Sequence, residues 1–107
     1  MDEEKLLKYL TAKTGCSNIY IQPPGSTEMK YPCLKVELSN ISNLYANDKV
    51  YLSQPEYEVI LITRNVNDSI VTALSNIPYT TFNTRYVADN LYHFVFTIYI
   101  NTFKEEL

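Results

Sequence analysis

The sequence predicts an α+β domain with two helices packed on an antiparallel or mixed sheet that carries a long projecting β-hairpin. Three observations lead there. Two stretches have helical apolar spacing with recognisable ends, five have strand character, and their order is α-β-β-β-α-β-β. Helices placed irregularly among hairpin-linked strands favour an α+β layer arrangement over a doubly wound one. The chain has 107 residues, 46% of them apolar. That length suits one domain spanning 1–107 with a modest core.

Residues 2–14 read as the first helix. Asp2 is the expected N-cap, and Glu3 and Glu4 suit the positive helix start. Leu6, Leu7 and Leu10 form an apolar stripe, with Lys5, Lys8 and Lys13 largely off it. Gly15 follows as the residue past the helix end. SNIYIQ (17–22) is a short strand, and PPGST opens a loop to about Lys30.

Pro32 opens a second strand in which Leu34, Val36 and Leu38 alternate with Lys35, Glu37 and Ser39, the pattern of a half-buried strand. Ile41 has the wrong parity to continue it. A one-residue slip turns every later side chain to the opposite face unless a bulge absorbs it, so a bulge is expected near Ser39-Asn40. A matching break is expected at Gln54-Pro55, because proline cannot donate to a ladder. Beyond it, Tyr57, Val59 and Leu61 face one way and Glu58, Ile60 and Ile62 the other. This stretch is expected to be central and covered on both sides.

The hairpin therefore has two halves. Residues 32–39 and 56–64 belong to the sheet, and residues 41–53 project, with the turn at Ala46-Asn47-Asp48. Ile41, Leu44, Tyr45, Tyr51 and Leu52 on the projection either meet a partner or fold back over the domain.

Arg64-Asn65-Val66-Asn67 is a polar exit loop. Asn67 or Asp68 caps a second helix over about 69–76, with Ile70, Leu74 and Ile77 at i, i+4 and i+7, Val71 beside them, and Pro78 ending it. Residues 79–87 form a strand of weak pattern, and Ala88-Asp89-Asn90 a turn. Residues 92–100 form the strongest strand, with Phe94, Phe96, Ile98 and Ile100 on one face and His93, Val95, Thr97 and Tyr99 on the other. Residues 101–107 are expected to be a flexible polar tail.

Composition narrows function by exclusion. Lys and Arg number 9 against 12 Asp and Glu, for a net charge of −3. With no basic stretch, grip on a phosphate backbone is not expected. The start MDEEKLLKYL does not read as a signal or transit peptide. No apolar run approaches the roughly 18 residues of a membrane span. Cys16 and Cys33 lack metal-ligand spacing and read as reduced, intracellular, packed thiols, with Lys13, Lys30 and Lys35 near them in sequence. His93 is the only histidine and reads as a strand residue rather than a catalyst. Glu3-Glu4 and Glu105-Glu106 read as solvated ends, and Glu56 and Glu58 as sheet-surface charges. Gly25 alone cannot make a phosphate cradle. Tyr92, Phe94 and Phe96 lack the interleaved basic residues of an RNA-binding sheet. No catalytic residue, cofactor or metal is expected. Ten tyrosines stand out, and tyrosine is enriched where protein surfaces meet.

The chain resembles small tail-completion proteins of long-tailed phages and prophages, also called tail terminators, head-to-tail joining or minor capsid proteins. The likeness covers roughly residues 3–100. It runs through EEKLLKYL, YIQPPG, YPCLKVEL, NISNLYANDKVYLSQPEYEVILITRN, DSIVTALSNIP and YTTFNTRYVADNLYHFVFTIYI. The most particular piece is the hairpin strand running into an Arg-Asn loop and a capped helix. The resemblance implies a virion subunit, assembled in the bacterial cytoplasm, that forms a six-fold ring. The ring would cap the tail tube and present its other face to the head connector. It implies no active-site residues. Under it, the expected subunit or partner interface comprises Tyr45, Asn47, Asp48, Lys49 and Tyr51 at the hairpin tip, Arg64 and Asn65 at the strand exit, and Arg85 and Tyr86 near the second hairpin. Other neck proteins such as head-completion stoppers, a small binding protein acting on a host factor, and an enzyme using a cysteine with His93 are the competing readings.

Overall fold

The computed structural model describes residues 3–23, 25, 28–46, 49–99 and 102–103. Its elements follow the expected order: α1 (Glu3–Thr14), β1 (Ile19–Ile21), β2 (Cys33–Ala46), β3 (Lys49–Thr63), α2 (Ser69–Ser75), β4 (Thr80–Ala88) and β5 (Leu91–Tyr99), with a two-residue β6 (Thr102–Phe103) added. One sheet runs β1-β2-β3-β5-β4, and β6 pairs with β3. The sheet is mixed because β1 runs parallel to β2, while the other ladders are antiparallel. The protein is an α+β domain.

Cross-strand partners share a face, so the register sorts the side chains. Leu34, Val36, Tyr57, Val59, Leu61, Phe94, Phe96 and Ile98 point to the helix side and are buried with Leu6 and Leu10 of α1 and Ile70, Leu74 and Ile77 around α2. Leu6 and Leu10 are one turn apart, which sets that face of α1 on the sheet. Leu7 is 39% exposed, so the expected three-leucine stripe narrows to two. It lies one residue round the helix from Leu6 and points past the sheet. Gly15 takes φ 72° and donates its N–H to the Thr11 carbonyl at 2.9 Å, the left-handed helix stop that glycine permits without strain. Asp2 lies outside the described residues.

Asp68 caps α2. Its Oδ1 accepts the Ile70 N–H at 2.9 Å and its Oδ2 accepts the Thr63 hydroxyl at 2.8 Å. Thr63 is the last residue of β3 and buried, and its hydroxyl also accepts the Asn65 N–H at 3.2 Å. One carboxylate thus ties the strand exit to the helix start. The β4–β5 turn uses Asp89 (φ 54°) and Asn90 (φ 62°), the paired left-handed residues of a tight hairpin turn.

β3 is central, as its pattern predicts, but it is not fully covered on both sides. On the face away from the helices, Cys33, Ile62 and Leu91 are buried beneath Tyr20, Met29 and Tyr31. Lys30 donates its N–H to the Tyr20 hydroxyl at 3.1 Å and holds that loop down. Further along that face the cover thins, although Val95 opposite Ile60 is still buried. Ile60 is half-buried, and Glu56 and Glu58 are partly exposed beside it. No second layer of helix lies on that face among the described residues, so the loop shields only the end nearest Cys33.

The bulge predicted near Ser39-Asn40 is present. The register steps from Leu38↔Tyr57 to Asn40↔Glu56, leaving Ser39 as the extra residue, and its hydroxyl donates to the Glu56 carbonyl at 2.9 Å. β3 has no matching break at Gln54-Pro55. Pro55 pairs directly with Ile41. It is tolerated because the ladder between β3 and β5 ends at Glu56↔Tyr99, one residue earlier. The residues expected to form a loose tail include Thr102 and Phe103, which instead pair with Ser53 and Leu52. Residues 101 and 104–107 lie outside the described residues.

Candidate assembly surface

Chain geometry sets the first feature. β2 and β3 have 14 and 15 residues, but β3 meets β5 only from Glu56 to Thr63. Beyond Glu56 the two strands pair with each other, and β6 adds only two residues. At about 3.3 Å per residue, β3 is roughly 46 Å from end to end. The molecule measures 51 × 28 × 23 Å, so the hairpin sets its long axis. Ile41, just past the bulge, is 51% exposed.

The expected interface residues fall into two groups at opposite ends of that axis. At the tip, Tyr45 pairs with Val50 and Ala46 with Lys49, and a register step leaves Tyr51 as an extra residue on β3. Asn47 and Asp48 lie outside the described residues. So do the side chains of Leu44, Tyr45, Lys49, Tyr51 and Leu52, and with them the expected apolar cluster.

At the other end, Arg64, Asn65, Arg85 and Tyr86 are exposed, and each also has a partner within the chain. The Arg64 guanidinium lies 5.8 Å from the Tyr31 ring centre, and that of Arg85 lies 6.0 Å from the Tyr92 ring centre. The Asn65 carbonyl oxygen accepts the Asn67 N–H at 3.0 Å. Tyr86 stacks on His93 with ring centres 4.6 Å apart and planes 13° apart. The register Val87↔Tyr92↔Thr63 places this group at one end of the sheet. The tip and this group are too far apart to serve one contact.

Apart from Arg85 and Tyr86, which it named, sequence reasoning missed the exposure of the rest of β4. This edge strand is exposed at every position between Thr80 and Ala88. Phe82, Tyr86 and Val87 are 52%, 45% and 62% exposed, and Tyr79 just before them 67%. Tyr79, Thr80, Thr81 and Tyr99 line an open groove of about 380 Å³. The lack of alternation in β4 was the available signal, because a strand with neither face buried needs no alternation. Phe82 meets Phe96 edge-on with centres 5.4 Å apart, so one rim of the core reaches the surface here.

Both cysteines are free and buried, and burial is the main reason their thiols ionise less readily: Cys33 is pushed up to about 11, and Cys16 is also raised. A thiol held neutral is a poor nucleophile. His93 Nδ1 lies 3.1 Å from the Leu91 carbonyl oxygen and its ring stacks on Tyr86. Among the described residues no group of three His, Cys, Asp or Glu side chains could hold a metal, and no helix is long and apolar enough to cross a membrane. No protein-family model matches the chain, and no curated protein matches it either.

Proposed function

We propose that the chain is a non-enzymatic virion subunit of a long-tailed phage or prophage, a tail-completion protein. It forms a ring, six-fold in the resembled family, that caps the tail tube and joins it to the head connector. The observation that carries this reading is the β2–β3 arm. Fifteen residues of β3 are ordered against a body that uses eight of them, Glu56 to Thr63, in its ladder with β5. Ordering extra backbone costs about 1–2 kcal/mol per residue, and among the described strands β6 alone pairs with the arm from outside. Contact with other chains is the natural return. The likeness of phrase through residues 3–100 adds the phage context, and a ring subunit needs two different surfaces for its two neighbours.

The test is solution mass by light scattering, for the protein alone and mixed with its phage's tail-tube protein. A six-fold mass, or a shift to a larger species only with the tube protein, is the expected result. A monomer under both conditions removes the reading.

A further inference from the structure

We infer that copies of the chain join edge to edge, the free edge of β4 in one copy pairing with the free edge of β2, residues 37–46, in the next. This deepens the ring reading above and rests on it.

The sheet order leaves two long unpaired edges. β1 covers β2 only from Leu34 to Val36, and the last described bond on that side runs from the Gln22 N–H to the Val36 carbonyl at 2.7 Å. From residue 37 to Ala46 no described strand lies outside β2. On the opposite side of the sheet, β4 pairs with β5 on its inner side alone. The two free edges are ten and nine residues long. Each offers a row of backbone donors and acceptors of the kind that accepts an added strand.

Their composition matches. Neither edge contains proline or lysine, the usual guards against strand addition. Arg85 is the only charged residue of β4, and Glu37 the only charged residue of 37–46. The pairing sets no like charges against each other, and Glu37 keeps its ion pair with Lys35 Nζ at 3.2 Å. Two β4 strands pairing with each other would bring Arg85 toward Arg85 and leave the β2 edge open. Each edge also exposes apolar side chains: Phe82 and Val87 on one, Leu38 and Ile41 on the other. The single bulges, at Asn83 and Ser39, split each edge into short runs and weaken pairing. That suits an assembly that forms at high concentration or on a template.

Because the edges are different and lie on opposite sides of one sheet, the contact is heterologous. It propagates from copy to copy and closes into a ring where the rotation allows.

The experiment uses the full chain and two variants. Thr84→Lys with Val87→Lys blocks the β4 edge, and Asn40→Lys with Ile41→Lys blocks the β2 edge. All four residues are exposed, and circular dichroism checks that both variants keep the fold. Masses are measured by light scattering at millimolar concentration, for each variant and for their equimolar mixture. The expected result is a wild type that assembles, variants that are each monomeric, and a mixture that stops at a two-chain complex, since each variant keeps one good edge. In the wild-type assembly, backbone amides of 37–46 and 80–88 are expected to slow together in hydrogen exchange. If the β2-edge variant still assembles alone, the contact is two-fold through β4 and the inference is overturned. If neither variant changes the wild-type mass, the joint lies elsewhere, and the edge pairing falls while the ring stands. A wild type that stays monomeric here and on the tail-tube protein removes the ring and the pairing together.

Discussion

The two halves of the β2–β3 hairpin share one continuous ladder and differ in what lies against it. In the inner half, Leu34, Val36, Val59 and Leu61 have no exposed surface and are covered by α1, α2 and β5. In the outer half, past Ser39, the backbone pairs continue through Ile41↔Pro55 to Ala46↔Lys49, with β6 the one further strand paired there among the described residues. The ladder therefore runs through both halves, and the helices and β5 cover the inner one. Net stabilisation by a backbone hydrogen bond is about 1 kcal/mol, while burying one large apolar side chain contributes about 1.5–3 kcal/mol. The inner half carries the buried core that holds the fold.

Substitutions should separate these roles. The largest effect is expected at Phe96, which is fully buried between β3 and β4 and packs against Phe82. Phe96→Ala should destabilise by about 3–5 kcal/mol in urea unfolding, a large part of the 5–15 kcal/mol typical of a domain. A loss below about 1 kcal/mol would mean that the inner half is not the structural core.

Next comes the buried thiol of Cys33. Its ionisation is pushed from 9.0 to about 11 by burial. The unfolded chain then loses this proton first, so stability falls as pH rises from about 9 and levels off near 11. The drop should be on the order of 2 kcal/mol. Cys33→Ala should flatten that slope, and urea unfolding at a series of pH values checks it. An unchanged slope would assign the alkaline loss to other groups.

Asp68→Ala should cost about 1–2 kcal/mol, because it removes the α2 cap and leaves the buried Thr63 hydroxyl without its acceptor. Asp68→Asn should recover only part of that loss, since the amide oxygen can still accept the Ile70 N–H but the amide nitrogen cannot accept the Thr63 hydroxyl. Thermal melts of the pair provide the comparison.

The smallest stability effect is expected at the tip. If the projecting tip is an assembly surface, Tyr45→Ala with Tyr51→Ala should change stability by less than about 0.5 kcal/mol while weakening assembly in light scattering. A variant that loses its fold would instead place those rings against the body, and the contrast between the halves would disappear.

Legibility in the sequence follows the range of the forces involved. Local signals were sufficient where the determinant is a few residues long. Gly15 ends α1, Asp68 starts α2, Asp89-Asn90 turns the second hairpin, and the parity slip at Ile41 betrays the bulge at Ser39. The expected interface residues were legible only as two sets of polar and tyrosine positions, of which Arg64, Asn65, Arg85 and Tyr86 are exposed. That Arg64 lies over Tyr31 and that Tyr86 stacks on His93 depends on strands distant in sequence meeting in register. The exposure of Leu7 escaped the helical pattern for the same reason, since a stripe says which side of a helix is apolar but not how wide its neighbour is.

By itself, then, the sequence determined the order of the elements, their ends, the helix-side face of β3 and β5, and the length of the hairpin. These rest on spacing, capping and steric limits that act within a turn or a strand. Only the tertiary structure decided that β1 runs parallel to β2, that β4 and the outer part of β2 are the free edges, and that the second face of the sheet is covered at one end alone. Strand order is a choice among pairings with similar local energies, settled by which arrangement buries Phe96, Val59 and Leu34 together beneath two helices.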